Sequence, residues 1–511
     1  MAGVADPVPP LGGDVHPPEQ PDGTFPSPAR RVAVNTAVPT LAALVNKAFD
    51  FAFAIYTIRV LGPTALGQYT WAVLVVGYLD ILVNFGLGIL ITREVARDRS
   101  LAPRYLGSAL LARSLLWLVA IGGAVVIAGP LAQPLSITPE MGIALIALTI
   151  GIGISNLAGV LSALFSAFEL MGYPAGVSVV TTLTKIGFGG AALAAGLGIV
   201  GLSAASIATN LITAGVLLWL AWHRLGPLRA KLDRRSAASL VDDSYPLLLN
   251  NLLATLFFRI DGLMLRAWAG DTVLGWYSTA YKFVDGLGIV PSNLTLALFP
   301  ILARQAAAES AGSEAGVLAR TTARGLRLLL SLAFPLAVGV TLLAEPIVRT
   351  FAGERFLPHS AIALQILVWF APLSFVNGLL QYVLIAAGRQ RAITLGFVIA
   401  TAFNLGANVL LIPRWSYAGA ALVTVLSELA LLGPFWWVAQ RTLGRLQLIS
   451  LAWRPALAAA AMAPGVVIVA PISWVAAIPV GALLYGAALY GIDGVPREDR
   501  MLIMRMLRRG V

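Results

Sequence analysis

The residues of this sequence that could bind a ligand are the few ionisable side chains within long apolar stretches. Lys47 and Asp50 are spaced i, i+3 in one stretch, and Lys282 and Asp285 repeat that spacing in another. Residues at this spacing share one helix face. A charge near the centre of a membrane costs about 2.5–3.5 kcal/mol to insert, so it normally faces a partner or a cavity. Either each pair neutralises itself and joins helices, or the residues line a hydrophilic cavity.

Cations within such a cavity would suit a phosphate-bearing substrate, because Lys supplies a point charge and Arg a bidentate fork for phosphate oxygens. The chain has four Lys, and three of them lie within apolar stretches. The candidate substrate-binding cations are Lys47, Arg259, Lys282 and Lys185.

The acidic residues in the same stretches are Asp50, Asp80, Asp261, Asp285 and Glu428. They either pair with the cations, or one of them exchanges H⁺ or binds Na⁺ and couples an ion gradient to transport. The sequence leaves both hypotheses open. Amides within the stretches, such as Asn156 and Asn377, are expected to join helices.

No residue pattern indicates a catalytic or metal centre. The chain has no Cys, which excludes thiol catalysis and Cys-ligated metal, and its three His are far apart at 16, 223 and 359. We therefore expect a protein that is not an enzyme and that holds neither a metal nor a cofactor.

Membrane spans must position these residues. Of the 511 residues, 58% are hydrophobic and 12% are charged, whereas soluble domains have about 45–50% and about 25%. A window of about 20 residues gives about fourteen spans. The predicted spans are 36–58, 68–91, 107–129, 141–166, 175–197, 201–222, 246–268, 273–299, 323–343, 361–387, 392–412, 417–438, 451–471 and 473–491. Gly286, Gly288 and Pro291 could bend the eighth, which we expect to be a moving element.

The basic residues indicate the orientation. Successive loops lie on alternate sides of the membrane. Most Lys and Arg residues, Arg113 among them, lie in or near the loops of one side, and the loops of the other side contain only Arg59, Arg266, Arg349, Arg355 and Arg414. This asymmetry predicts that both termini of a multi-pass membrane protein are cytoplasmic. The net charge of +11 is then a topology signal, and nucleic acid is not an expected partner.

An internal duplication divides the chain. The segments GPTALGQYTWA at 62–72 and GDTVLGWYSTA at 270–280 agree at six positions with a shift of 208. Repeats of this kind are typical of transporters with a site between two halves. We predict a disordered Pro-rich cytoplasmic tail (1–31), an N-terminal bundle of helices 1–6 (32–235), a C-terminal bundle of helices 7–12 (236–445), and a last helix pair with a cytoplasmic tail (446–511). Aromatic residues near the repeats, Tyr69 and Tyr277 among them, are expected in an interfacial belt, with sugar stacking as the alternative.

Several loop motifs resemble one family. RVLGP at 59–63, GQY at 67–69, NFGL at 84–87 and TREVAR at 92–97 resemble the opening of polysaccharide and O-antigen flippases. EPI at 345–347 and FAGERF at 351–356 are similar to that family's outer loop before the tenth helix, and Gly388, Asn404, Asn408, IP at 412–413 and YAGAA at 417–421 continue the pattern. These flippases belong to the multidrug/oligosaccharidyl-lipid/polysaccharide (MOP) exporter superfamily. The resemblance covers nearly the whole chain after residue 32.

The resemblance implies an all-α membrane protein with two pseudo-symmetric bundles around a central cavity lined by cations. It implies a flippase that moves a polyprenyl-(pyro)phosphate-linked oligosaccharide to the outer leaflet of the plasma (inner) membrane for cell-surface polysaccharide biosynthesis, by alternating access. Its partners would be this substrate, membrane lipids and H⁺ or Na⁺. The alternatives are a membrane polysaccharide polymerase or ligase, a peptidoglycan lipid precursor flippase and a drug antiporter of the same superfamily.

Overall fold

The computed structural model describes residues 28–226, 230, 234–312, 316–444 and 446–494, which form a bundle of α-helices with no strand among them. Of the predicted cytoplasmic tails, residues 1–27 and 495–511 lie outside the described residues. The first helix begins at Pro28, so the last four residues of the predicted disordered tail, 1–31, are helical. The helices are α1 Pro28–Asn84, α2 Leu87–Arg97, α3 Ala102–Ala128, α4 Pro139–Ala167, α5 Gly172–Ala194, α6 Gly198–Leu225, α7 Arg234–Ala269, α8 Asp271–Leu287, α9 Ile289–Ser310, α10 Val317–Phe351, α11 His359–Leu367, α12 Phe370–Ala386, α13 Gln390–Leu443, α14 Leu448–Val469 and α15 Trp474–Gly491.

Two of these helices, α1 and α13, are each two spans joined at one non-helical residue. The junctions are Gly62, with φ 71°, and Ser416, with φ 51°. Gly270, between α7 and α8, has φ 87° and is the counterpart of Gly62 in the duplication. Glycine suits the turns at Gly62 and Gly270 because it adopts positive φ without a side-chain clash. The first residue of the repeated motif is therefore explained by the turn that it makes.

Eleven helical ranges of the described chain are long and apolar enough to cross a membrane. Two of them, 38–97 and 390–443, each contain two predicted spans, and α8 with α9 covers the predicted span 273–299. The prediction of a multi-pass protein with about fourteen spans is therefore confirmed in outline.

Three predicted spans are interrupted rather than continuous. The first break is at Phe85 and Gly86, which both have positive φ. The second is at Gly288, between α8 and α9, and the third lies between α11 and α12. Hydropathy measures the solvent that a segment prefers but carries no information on backbone breaks, so a window of about 20 residues passes over them.

Each half of the chain has its own core. In the first half, buried residues of α2, α3, α4 and α6 form one cluster, which the start of α7 joins through Leu240 and Leu248. In the second half, the main cluster comes from α9, α10, α12 and α13. The last two helices pack on α10, where Leu343 meets Val466 and Ala477. Two further clusters join the halves, one through Ile58 and Leu66 with Leu265 and Tyr277, and one through Trp71 with Leu274.

The two copies of the duplicated segment face each other. The hydroxyl oxygens of Thr64 and Thr272 are 2.9 Å apart, and those of Thr70 and Ser278 are 3.4 Å apart. Both pairs join positions separated by 208 residues, the shift of the duplication. Equivalent residues meet in this way when a two-fold axis passes between them. The predicted pseudo-symmetry of the halves is confirmed, and we call the end that carries Gly62 and Gly270 the distal end.

Glycine allows this contact between α1 and α8 to be very close. A methyl group added at Gly67 would lie 1.8 Å from the carbonyl oxygen of Asp271, and one added at Gly275 would lie 1.9 Å from that of Pro63. The duplication relates Gly67 to Gly275 and Pro63 to Asp271, so the approach is reciprocal. Small residues permit such backbone contact between membrane helices. The distal end is therefore closed by direct contact of the two halves.

Candidate substrate cavity between the two halves

A cavity of about 670 Å³ lies between the halves, on the inner side of the distal contact. Its walls come from α1, α5, α7 and α8, so both halves contribute. This volume is within the range of about 300–1,000 Å³ usual for ligand sites. The charged residues of the wall are Asp50, Lys185, Arg259, Asp261, Lys282 and Asp285.

Two ion pairs cross between helices in this cavity. Lys185 of α5 binds Asp50 of α1, and Arg259 of α7 lies 3.6 Å from Asp285 of α8. All four side chains are about 40% exposed, so the cavity is open to them. Because they are exposed, these ions are able to exchange one partner for another at modest cost. In the part of the chain that is described, Lys282 makes no ion pair, although it belongs to the same cavity wall.

Three of the four predicted cations are thus brought together, and the fourth is not. Lys47 lies one turn before Asp50 on α1, is exposed, and is not part of the cavity wall. The i, i+3 spacings predicted shared faces, but the carboxylates of Asp50 and Asp285 bind cations of neighbouring helices. The guanidinium of Arg259 also lies 5.2 Å from the ring centre of Tyr281, within cation–π range.

The other three predicted acids are held by neutral donors. Asp261, only 4% exposed, accepts hydrogen bonds from Tyr277 and from Thr424 at 3.3 Å. Glu428 accepts one from the Asn377 amide at 2.6 Å, and Asp80 accepts one from Asn156 at 3.2 Å. Both amides therefore join helices, as predicted. Of these acids, only Asp261 belongs to the cavity wall.

Arg113 was counted with the charges of the cytoplasmic loops, but the structure places it inside the helical bundle. It is 4% exposed, and it donates to the Asn84 side chain and to the Asn156 carbonyl, both at 2.8 Å. Its position within the predicted span 107–129 was the signal that it lies inside the bundle. Its bonds join α3 to α1 and α4 within the first half.

The role of Tyr277 was also missed. The sequence favoured an interfacial belt for it, but its side chain is 3% exposed and donates to Asp261. Tyr69, its counterpart at a shift of 208, belongs to the same cavity wall. The duplication itself was the available signal, since equivalent residues beside a two-fold axis both approach it.

An all-helical bundle of two symmetry-related halves around a charged central cavity defines a multi-pass membrane transport protein. Solved structures of transporters share the fold, among them the three that follow. No curated protein matches the sequence. The lipid II flippase MurJ in an inward closed conformation has a TM-score of 0.72 at 12% identity, over 89% of this chain and 98% of that one. An inward-facing multidrug resistance MATE family transporter of the MOP superfamily has a TM-score of 0.62 at 15% identity, over 81% of this chain and 97% of that one. The Vibrio cholerae MATE transporter VcmN in its bent form has a TM-score of 0.53 at 15% identity, over 81% of this chain and 97% of that one.

Residues 32–305 match the polysaccharide biosynthesis protein family, and residues 246–410 match the MatE family. Since the first match covers more than half of the chain, the protein belongs to the polysaccharide biosynthesis protein family, within the MOP exporter superfamily. The resemblance drawn from the loop motifs is thereby confirmed.

Proposed function

We propose that the protein is a flippase for a polyprenyl-(pyro)phosphate-linked oligosaccharide, which it moves from the cytoplasmic to the outer leaflet of the plasma membrane. The observation that carries this proposal is the cavity between the halves, where Lys185, Arg259 and Lys282 lie together. Three cations face two half-exposed carboxylates, while the third carboxylate of the wall, Asp261, is buried against hydroxyl groups. The exposed part of the wall therefore offers more cations than carboxylates, which suits an anionic headgroup. The oligosaccharide would share the cavity while the polyprenyl chain stays in lipid.

The ion pairs suggest how the substrate is received and released. A phosphate entering beside Lys282 competes with Asp50 for Lys185 and with Asp285 for Arg259. Because both pairs are open to the cavity, this exchange does not leave a charge buried without a partner. The two pairs also hold α5 to α1 and α7 to α8, so substrate binding would loosen contacts within both halves.

A leaflet-accessibility assay tests the proposal. In cells with the protein, labelled lipid-linked oligosaccharide should become accessible to a membrane-impermeant reagent outside, and in cells without it the label should stay protected. Lys282→Ala and Arg259→Ala are each expected to reduce this transfer about tenfold or more, because a hydrogen bond to a charged group is worth about 1.5–3 kcal/mol. Lys47→Ala, which lies outside the cavity wall, should have a smaller effect.

The outcomes separate the alternatives. Full transfer in all three variants at normal protein level would show that the cations are structural. Unchanged accessibility together with a loss of chain elongation would favour the polymerase or ligase instead.

A peptidoglycan lipid precursor is the second candidate substrate, and the similarity to a lipid II flippase favours it. The same assay with labelled lipid II distinguishes the two. Transfer of lipid II, without transfer of the polysaccharide precursor, would replace the first candidate with the second.

We also propose that transport is coupled to H⁺ or Na⁺ through Asp261. This carboxylate belongs to the cavity wall, is buried, and is held by hydroxyl groups rather than by an ion pair in the described structure. Collapse of one ion gradient should slow transfer by the unaltered protein, and Asp261→Asn should be slow and insensitive to that collapse. Asp80→Asn, outside the cavity wall, is the control. If Asp261→Asn keeps the gradient dependence, Asp261 is structural.

A further inference from the structure

Two arginines at the distal end donate from one half of the molecule into the other. Arg59, near the end of the first span of α1, binds the carbonyl oxygens of Thr350 and Phe351, with its Nε 2.9 Å from the latter. These residues end α10, whose last carbonyl groups have no partner within the helix and carry the negative end of its dipole. The guanidinium therefore occupies a position where α10 favours a cation.

Arg266 makes the corresponding contact in the opposite direction. It lies near the end of α7 and donates to the carbonyl oxygens of Leu135 at 3.1 Å and Ser136 at 2.8 Å, in the connection between α3 and α4. Asp271 holds its Nε at 2.5 Å, and the ring centre of Trp71 lies 4.6 Å from its guanidinium carbon. The side chain is 8% exposed, so it is fixed in this direction.

Each half supplies one of the two contacts, from a nearly equivalent position just before the distal turn. Arg59 lies three residues before Gly62, and Arg266 lies four residues before Gly270, its counterpart. Each binds two adjacent carbonyl groups of the other half, those of Arg59 at the end of α10 and those of Arg266 in the connection that follows α3. Arginine suits this task better than lysine, because its planar fork presents several donors in a fixed geometry.

We propose that Arg59 and Arg266 form a pair of latches that keep the distal end closed while the cavity is loaded from the opposite end. Opening toward the distal side must break both contacts, because each one joins the two halves. A guanidinium stays protonated and its acceptors are backbone carbonyls, so movement of the halves releases the latch rather than a change in pH. This inference rests on the alternating-access part of the proposed function.

Two other distal arginines are matched controls, since their hydrogen bonds stay within the second half. Arg349 pairs with Glu345 at 2.8 Å and with Glu354 at 2.9 Å, and Arg414 donates to the Leu410 carbonyl of its own helix at 3.0 Å. Substitution of either removes the same charge from the distal surface without breaking a contact between the halves.

The test measures access to the cavity from the distal side. The chain has no Cys, so Gly77→Cys supplies a single reporter thiol in the cavity wall, at a position where an added Cβ atom has no neighbour within 4 Å. A membrane-impermeant maleimide is applied to right-side-out and to inverted vesicles. Arg59→Gln and Arg266→Gln should each raise labelling from the distal side at least threefold, and Arg349→Gln and Arg414→Gln should leave it unchanged.

Arg59→Gln decides the proposal, because Arg59 is an exposed residue whose loss leaves the packed cores intact. Distal labelling equal to that of the Gly77→Cys background, at normal protein level, would overturn it. Arg59→Lys separates geometry from charge: it keeps the charge and loses the fork, so intermediate labelling supports the latch and background labelling overturns the geometric account. No glycan substrate is used, so failure here leaves the substrate proposal standing.

Discussion

At the scale of single residues, the charges of the cavity are distributed so that each half keeps its own balance. Asp50 and Lys185 both belong to the first half, and Arg259 and Asp285 both belong to the second. Either half can therefore rotate without separating an ion pair. Lys282 makes no ion pair in the described structure, so a substrate can reach this cation without displacing a carboxylate from it.

Replacing Lys185 alone should lower the stability of the protein more than replacing Lys185 and Asp50 together. Lys185→Gln leaves Asp50 unpaired within the membrane, where an uncompensated charge costs up to about 2.5–3.5 kcal/mol. We expect lower protein level and lower thermal stability in detergent, both restored in Asp50→Asn with Lys185→Gln. Transport should stay low in the double variant because a binding cation is still missing. Equal protein levels in the single and double variants would show that the pair has no structural role.

The sequence identified the types of these residues but not their partners. The i, i+3 spacing correctly predicted that Lys282 and Asp285 share a face, yet Asp285 binds Arg259 of α7 and Asp50 binds Lys185 of α5. Spacing describes a single helix, whereas the partner depends on which helix packs beside it and on how each is rotated. That information is in the tertiary packing, which a local pattern does not contain.

At the scale of the helices, the interruption at Gly288 is a feature that the sequence did indicate. α8 ends at Leu287 and α9 begins at Ile289, within a segment predicted as one span that could bend. Lys282 and Asp285 lie within two turns of this break, so a change of angle there would move both cavity charges. We retain the hypothesis that α8 is a moving element.

Gly286→Ala combined with Gly288→Ala tests the hinge. A methyl group at either position has its nearest neighbour at 3.5 Å, an ordinary contact, so the change is tolerated sterically. Alanine favours a continuous helix over glycine by about 1 kcal/mol per residue. We expect several-fold slower transport at normal protein level. Unchanged transport would remove the hinge hypothesis.

The distal contact between α1 and α8 gives a second prediction for helices. Gly67→Ala and Gly275→Ala each place a methyl group less than 2 Å from a carbonyl oxygen, which no side-chain rotation relieves. Overpacking of this kind costs about 1–3 kcal/mol, so thermal unfolding in detergent should occur several degrees lower. Gly77→Ala, on the same helix with open space around it, is the control. Similar unfolding temperatures for all three would contradict the close approach.

At the scale of the whole molecule, the sequence predicted the architecture more fully than the site. Span positions follow from composition, because a helix in lipid must satisfy its own backbone and present apolar side chains. The duplication at 62–72 and 270–280 predicted two related halves, and the structure places its equivalent threonines in contact. The sequence could not show that Arg59 and Arg266 bind across the two halves, because the groups that accept their hydrogen bonds are backbone carbonyls. A carbonyl acceptor leaves no trace in residue type.

If the halves move against each other at the distal end, a covalent bond there should stop transport. The hydroxyl oxygens of Thr64 and Thr272 are 2.9 Å apart, so Thr64→Cys with Thr272→Cys brings two sulfurs within reach of a disulfide in a chain that has no other Cys. Oxidation should reduce transport at least tenfold, and a reductant should restore it. Thr181→Cys with Thr213→Cys is the matched control, because those hydroxyl oxygens are 2.7 Å apart and both belong to the first half. Its oxidation should change transport less than twofold, since α5 and α6 move as one body. Full transport by the oxidised Thr64–Thr272 variant would show that the distal contact need not open, and alternating access between these halves would be wrong.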